Sequence, residues 1–139
     1  MAERILIVDD EAKLRALVAK HARHAGYEIA ECADGRAAVE RCREGGIDLV
    51  ILDIMLPGLD GYEVLRAIRT FSDVPVLMLS VHGEEQDKVR GFKLGVDDFM
   101  VKPFSPRELM YRVAAILKRR RPAPAPDAPT LGIGGLVVD

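Results

Sequence analysis

Five short apolar runs limit what this chain can become: residues 4–8, 27–32, 48–52, 74–79 and 97–101. Three of them contain the unbroken stretches Ile-Leu-Ile-Val, Leu-Val-Ile-Leu and Val-Leu-Met-Leu, with no polar residue at alternate positions. That is the pattern of strands covered on both faces. Longer amphipathic stretches separate and follow them, at 11–24, 35–44, 61–70, 84–94 and 106–120. A strand and a helix repeated five times admits few topologies. Parallel strands joined by right-handed crossovers, with helices on both faces of one sheet, satisfy it, and the expected class is a doubly wound α/β domain.

The punctuation agrees. Gly26 closes the first helix, Asp34-Gly35 and Gly45-Gly46 mark turns, and Ser105, Pro106 and Glu108 form a helix start with Ser105 as N-cap. The fourth helix is the weakest, because Gly91 inside it costs about 1 kcal/mol relative to alanine. It is expected to be the most mobile element. After Arg121 the composition changes to the alternating Pro and Ala of residues 122–130, a spacer in extended polyproline geometry reaching on the order of 25 Å. Residues 131–139 read as one strand too short to bury itself, the opening of a second domain cut short. The expected division is therefore 1–121, 122–130 and 131–139.

Composition removes several functions. The 139 residues carry 20 basic and 22 acidic side chains, a net charge of -2, so the chain has no overall basic field for gripping nucleic acid. Cys32 and Cys42 fit neither a disulfide framework nor a metal-ligand spacing, and as ordinary thiols they favour a reducing, cytoplasmic setting. No segment approaches the roughly 18 apolar residues of a membrane span, and the start at Met1 runs directly into a strand without room for a signal peptide. No G-x-G-x-x-G follows the first strand, which argues against a dinucleotide site.

What the strands deliver at their carboxyl ends is chemically specific. Asp9 and Asp10 follow the first run, Asp53 ends the third, Ser80 the fourth, and Lys102 follows the fifth. In open parallel sheets ligands sit outside those ends, near the point where strand order reverses. Three neighbouring carboxylates repel one another, and one ammonium leaves a local charge near -2, which a hard divalent cation such as Mg2+ resolves with oxygen ligands. Mg2+ takes few carboxylates and favours phosphate oxygen, so such a site is built to receive a phosphoryl group. Asp53, between partners on its strand end, is the candidate nucleophile for an acyl phosphate.

These residues carry a family resemblance. Ile5 to Asp10, Leu52-Asp53 with Pro57-Gly58, Leu77 to Ser80, and Val101 to Phe104 resemble the receiver domain of two-component response regulators over about residues 2–121. The resemblance implies a CheY-like, flavodoxin-like sheet of order 2-1-3-4-5 with five helices. It implies that Asp53 is phosphorylated by a sensor histidine kinase with Mg2+, held by Asp10 directly, Asp9 through water, Asp53 and the Met55 backbone carbonyl. Ser80 matches the switch hydroxyl, Lys102 the phosphate-binding lysine and Phe99 the switch aromatic. Residues 93–109 are further similar to the OmpR/PhoB class, which implies a homodimer through the α4-β5-α5 face. The matching ion pairs across that face are Lys88 with Glu108, Asp98 with Arg112 and Asp97 with Arg119. Residues 131–139 then resemble the opening strand of a winged-helix domain that contacts DNA, its recognition helix absent from this chain. On this reading the chain is a phosphoryl acceptor, open to slow self-dephosphorylation, and not a turnover enzyme.

Two small departures from the common pattern stand beside the site: Val81 after Ser80, a bulky neighbour that narrows access, and Met55 and His82 at positions that influence acyl-phosphate lifetime. Blander readings compete at single positions. Asp9-Asp10 alone suits a helix N-cap, Phe99 suits a core aromatic, and the charged face suits a solvated surface whose pairs are individually weak. His21 and His24 share a helical face without a third ligand, and residues 118–121 place cations at a helix C-terminus, where the dipole favours them. Two other functions compete: an aspartyl-phosphate phosphatase, whose Asp-x-Asp arrangement the adjacent Asp9 and Asp10 do not match, and an interaction module that is never phosphorylated.

Overall fold

The computed structural model describes residues 2–81 and 85–120, with the side chains of 85–87 excepted. His82, the expected spacer at 122–130 and the expected strand at 131–139 lie outside the described residues. The chain runs β1 (Arg4–Val8), α1 (Ala12–His24), β2 (Glu28–Cys32), α2 (Gly35–Arg43), β3 (Leu49–Asp53), α3 (Gly61–Arg69), β4 (Val76–Ser80), α4 (Glu85–Lys93), β5 (Asp98–Val101), α5 (Pro106–Arg120). All strand pairs are parallel, in the order β2-β1-β3-β4-β5.

Successive residues of each central strand serve opposite faces. Leu6, Val8, Val50, Leu52, Val76 and Met78 pack with α2 and α3 and with Phe99. Ile5, Ile7, Leu49, Ile51, Leu77 and Leu79 pack against residues of α1 and α5, among them Val18, Ala22, Leu109 and Val113. That two-fold alternation between two apolar layers is why no polar residue interrupts the runs. Only β2, at the sheet edge, has exposed residues, Glu28 and Glu31.

Register does the positioning. Val8 lies opposite Leu52, Asp53 opposite Leu79, and Ser80 opposite Val101. The residues following β1, ending β3 and β4 and following β5 therefore emerge side by side at one edge. Order reverses between β1 and β3, the place where such a sheet opens a crevice. Turn chemistry helps: Asp34 caps α2 through the Ala37 amide, Asp60 and Glu63 form a reciprocal capping box on α3, and the Ser105 hydroxyl accepts the Glu108 amide at 3.2 Å. The Glu108 carboxylate turns to Arg112, so the α5 start is capped from one side.

Candidate functional site

The five groups expected to converge do so. Asp9 and Asp53 are buried at the strand ends, 2% and 3% exposed, while Asp10 stands exposed beside them. One carboxylate oxygen from each of the three lies within 4.8 Å of the others. Lys102 reaches in from β5 and its Nζ donates to Asp9 Oδ2 at 3.1 Å and to Asp53 Oδ2 at 3.0 Å. The Lys102 amide is fixed by the Ser80 carbonyl at 2.7 Å, which couples the lysine to the end of β4. Ser80 itself is buried at that end, 1% exposed.

The two Asp53 oxygens have different partners. Oδ2 takes the ammonium, and Oδ1 accepts the Met55 amide at 3.2 Å. Met55 has an exposed side chain and sets its backbone amide against the Asp53 carboxylate. The loop is tight because Gly61, the first residue of α3, donates its amide to the Ile54 carbonyl at 2.7 Å. A Cβ at Gly61 would stand 2.6 Å from the Asp53 carbonyl oxygen and from Ile54 Cα, both backbone atoms. Glycine is thus required for α3 to meet the strand carrying Asp53, a requirement not read from the sequence although Asp60-Gly61 signals a helix start.

Burial, followed by the charge of Asp9, raises the Asp53 carboxyl above its ordinary 3.8 despite hydrogen bonds from Lys102 and Met55. Burial works against the Lys102 ammonium, but its hydrogen bonds and charge pairing with Asp53 and Asp9 outweigh it and the net shift is upward from 10.5. The site therefore holds a charged lysine between two carboxylates, one of them under strain to ionise. Its donors are all oxygens, suited to a hard cation of the Mg2+ type.

The capping alternative for the first acidic pair is not what the fold uses. The N-cap of α1 is Glu11, without a side-chain cap bond, and Asp9 Oδ1 instead accepts the Glu11 amide at 2.9 Å. Arg15, not singled out from sequence, donates Nη1 to the Asp9 carbonyl at 2.6 Å and Nε to Glu31 at 3.0 Å. Phe99 is buried, its ring edge against α4 where a Cβ on Gly91 would lie 3.6 Å away. Beside Lys102 opens a cleft of about 450 Å³ walled by Leu14, Leu17, Val81, Phe104 and Pro106. Val81 thus stands at the approach to the site, half exposed.

The charged face pairs within one chain. Arg112 Nη1 donates to both oxygens of Asp98 at 3.0 and 2.9 Å, and its Nη2 to Glu108 at 3.0 Å. Asp97 faces elsewhere: its Oδ1 accepts the Val76 amide at 3.0 Å and lies 3.9 Å from Arg69. Lys88 and Arg119 are exposed. Cys42 is buried and its thiol pushed up to about 11 by burial, and Cys32 is raised by the same cause, as ordinary packed thiols should be.

Residues 5–114 match the family described as the response regulator receiver domain. The chain belongs to that family. Its relatives include the transcriptional regulatory protein ResD of Bacillus subtilis, 47% identical over 116 residues that cover 84% of this chain and 48% of ResD. SrrA of Staphylococcus aureus is 43% identical over 119 residues, covering 86% of this chain and 49% of SrrA. Both are OmpR/PhoB-class response regulators, the class residues 93–109 resemble. The chain spans about half the length of the curated relatives it matches. Among solved structures, the Francisella response regulator receiver domain superposes with a TM-score of 0.82 at 31% identity, covering 86% of this chain and 99% of that one. A response regulator from Chloroflexus aurantiacus gives 0.81 at 37% identity, with 86% and 100% covered. This receiver domain has, among its described residues, no helix long and apolar enough to cross a membrane.

Proposed function

We propose that this receiver domain accepts a phosphoryl group on Asp53 from a sensor histidine kinase, with Mg2+, and thereby controls pairing of two copies and a DNA-binding domain beyond residue 139. The observation that carries the reading is Asp53 at the sheet edge, buried, bonded to Lys102 at 3.0 Å and clustered with Asp9 and Asp10. An Asp53 carboxylate oxygen attacks phosphorus, a P–O bond forms as the P–N bond of a phosphohistidine breaks, and the imidazole leaves with a proton. Lys102 offers its ammonium to the oxygens of the incoming group, and the Ser80 hydroxyl to one of them. Asp10, Asp53 and the Met55 carbonyl would hold Mg2+ directly and Asp9 through water. The bound ion supplies neutralisation of the phosphoryl oxygens. The chain acts as acceptor and timer, with any self-dephosphorylation slow.

Pairing through the α4-β5-α5 face is supported by the exposed Val89, Phe92 and Tyr111 on α4 and α5 beside the charged cluster. Phe99, on β5 and buried against α4, links the site to that face. Arg112 is already paired with Asp98 at home, so a dimer contact with a partner's aspartate exchanges one ion pair for another and adds little affinity by itself. DNA contact and the kinase rest on kinship with ResD and SrrA. Acetyl phosphate with Mg2+ should add one phosphoryl group by intact mass to wild type and none to Asp53→Asn. Sedimentation with beryllium fluoride should show a heavier species for wild type alone. Equal labelling of the two proteins would overturn the acceptor assignment, and an unchanged mass with beryllium fluoride bound would overturn the dimer.

A further inference from the structure

Asp10 differs from its two carboxylate neighbours in having nothing among the described residues to hold it. Lys102 and backbone amides secure Asp9 and Asp53. The exposed Asp10 carboxylate makes no hydrogen bond or ion pair among the described residues, so the backbone alone determines where it is presented. That backbone is fixed at Asp9. The Asp9 amide donates to the Cys32 carbonyl of β2 at 3.2 Å, and the Asp9 carbonyl accepts Arg15 Nη1 at 2.6 Å. Because the peptide unit is planar, holding the Asp9 carbonyl also orients the amide nitrogen and Cα of Asp10.

We infer that Arg15 is a positioning residue for the cation site, acting through the Asp9–Asp10 peptide, with Glu31 as its anchor. Arg15 lies in the first turn and a half of α1, and its side chain is 19% exposed. Its Nε is bound by Glu31 Oε1 at 3.0 Å, so the guanidinium is braced against β2 while its other arm holds the loop. The planar fork is what allows one side chain to serve a carboxylate and a carbonyl in different directions. A lysine reaches one of them at a time. Pairing with Glu31 also cancels the arginine's charge locally, so Arg15 orders the acidic loop without competing with a cation for it. The inference deepens the proposed Mg2+ site and rests on it.

Calorimetric titration of Mg2+ into the full chain tests it, with melting temperatures measured in parallel. Arg15→Gln and Arg15→Lys should both weaken Mg2+ binding by about 10-fold, the scale at which partners of metal ligands act. Glu31→Gln should weaken it less and in the same direction. Arg23→Gln, which removes a cation 3.8 Å from Glu31 that does not touch Asp9, should leave it unchanged. Arg15 variants that melt lower but bind Mg2+ as wild type does would reduce Arg15 to a stabilising ion pair and overturn the inference. Full binding by Arg15→Lys alone would overturn the bridging role. If wild type itself fails to bind Mg2+, the proposed cation site fails, a result distinguishable from either.

Discussion

Asp53 is kept where its own charge is least welcome. Its folded pKa is raised by burial first and by Asp9 second, so the folded chain holds that proton more tightly than the unfolded chain does. As pH rises through the window above 3.8, ionising Asp53 therefore removes stability. Lys102 behaves oppositely: with its folded pKa raised, its contribution is present across neutral pH and is lost only as pH rises through that folded value, above 10.5. Asp53→Asn leaves Lys102 paired with Asp9 and removes the strained charge. In metal-free buffer at pH 7 it should stabilise the domain by roughly 1 kcal/mol, or about 4 °C in Tm. The gain should shrink as pH falls toward 3.8, because the raised wild-type carboxyl takes up its proton above that value. Thermal melts of both proteins across that range check this; a gain independent of pH would assign it to packing and not to charge.

At the scale of elements, α4 shows how packing bounds a local rule. Gly91 inside a helix reads as a weakness, yet it lies buried where the helix backbone approaches β4 and β5. A Cβ there would lie 3.4 Å from Val96 Cγ2, 3.6 Å from Phe99 Cδ2 and 3.7 Å from Met78 Sδ. Those are close to ordinary contacts, so the notch tolerates one methyl and no more. Gly91→Ala should stabilise by about 0.5 kcal/mol, because it restricts the unfolded chain and improves helix propensity. Gly91→Leu should lose about 1–3 kcal/mol by overpacking against Phe99. Urea midpoints separate the two, and a destabilising alanine would mean that the notch has no slack. Arg112 shows a second limit of local reading. The i,i+4 spacing to Glu108 is visible in sequence, but the bidentate bond to Asp98 depends on how α5 lies against β5, which no spacing reveals.

Over the whole molecule, the sequence was legible wherever burial leaves a one-dimensional trace. Unalternating aliphatic runs marked β1, β3 and β4, and chemistry clustered at strand ends marked Asp9, Asp10, Asp53, Ser80 and Lys102. Side chains that bond backbone across the fold left no such trace. Arg15 needs the register of β1 on β2 to bring Glu31 within reach, and Arg69 needs the opposite pole of the sheet assembled. There Arg69 Nη1 donates to the Val74 carbonyl at 2.8 Å and Nη2 to the Gly95 carbonyl at 2.9 Å, joining the loops that precede β4 and β5. Arg120, at the end of α5, adds a bond to the Asp73 carbonyl at 2.6 Å. Burial lowers the Arg69 pKa while the charges of Asp97 and Asp73 oppose that shift, and the bonds of its guanidinium are charge-assisted. Arg69→Lys keeps the charge and loses the fork that serves two loops, so it should cost most of the roughly 2 kcal/mol expected for Arg69→Ala. Because this clamp lies at the pole away from Asp53, neither variant should change Mg2+ affinity. Chemical denaturation paired with Mg2+ titration reads both; a lysine variant as stable as wild type would show that one loop, and not the bridge, needs the cation.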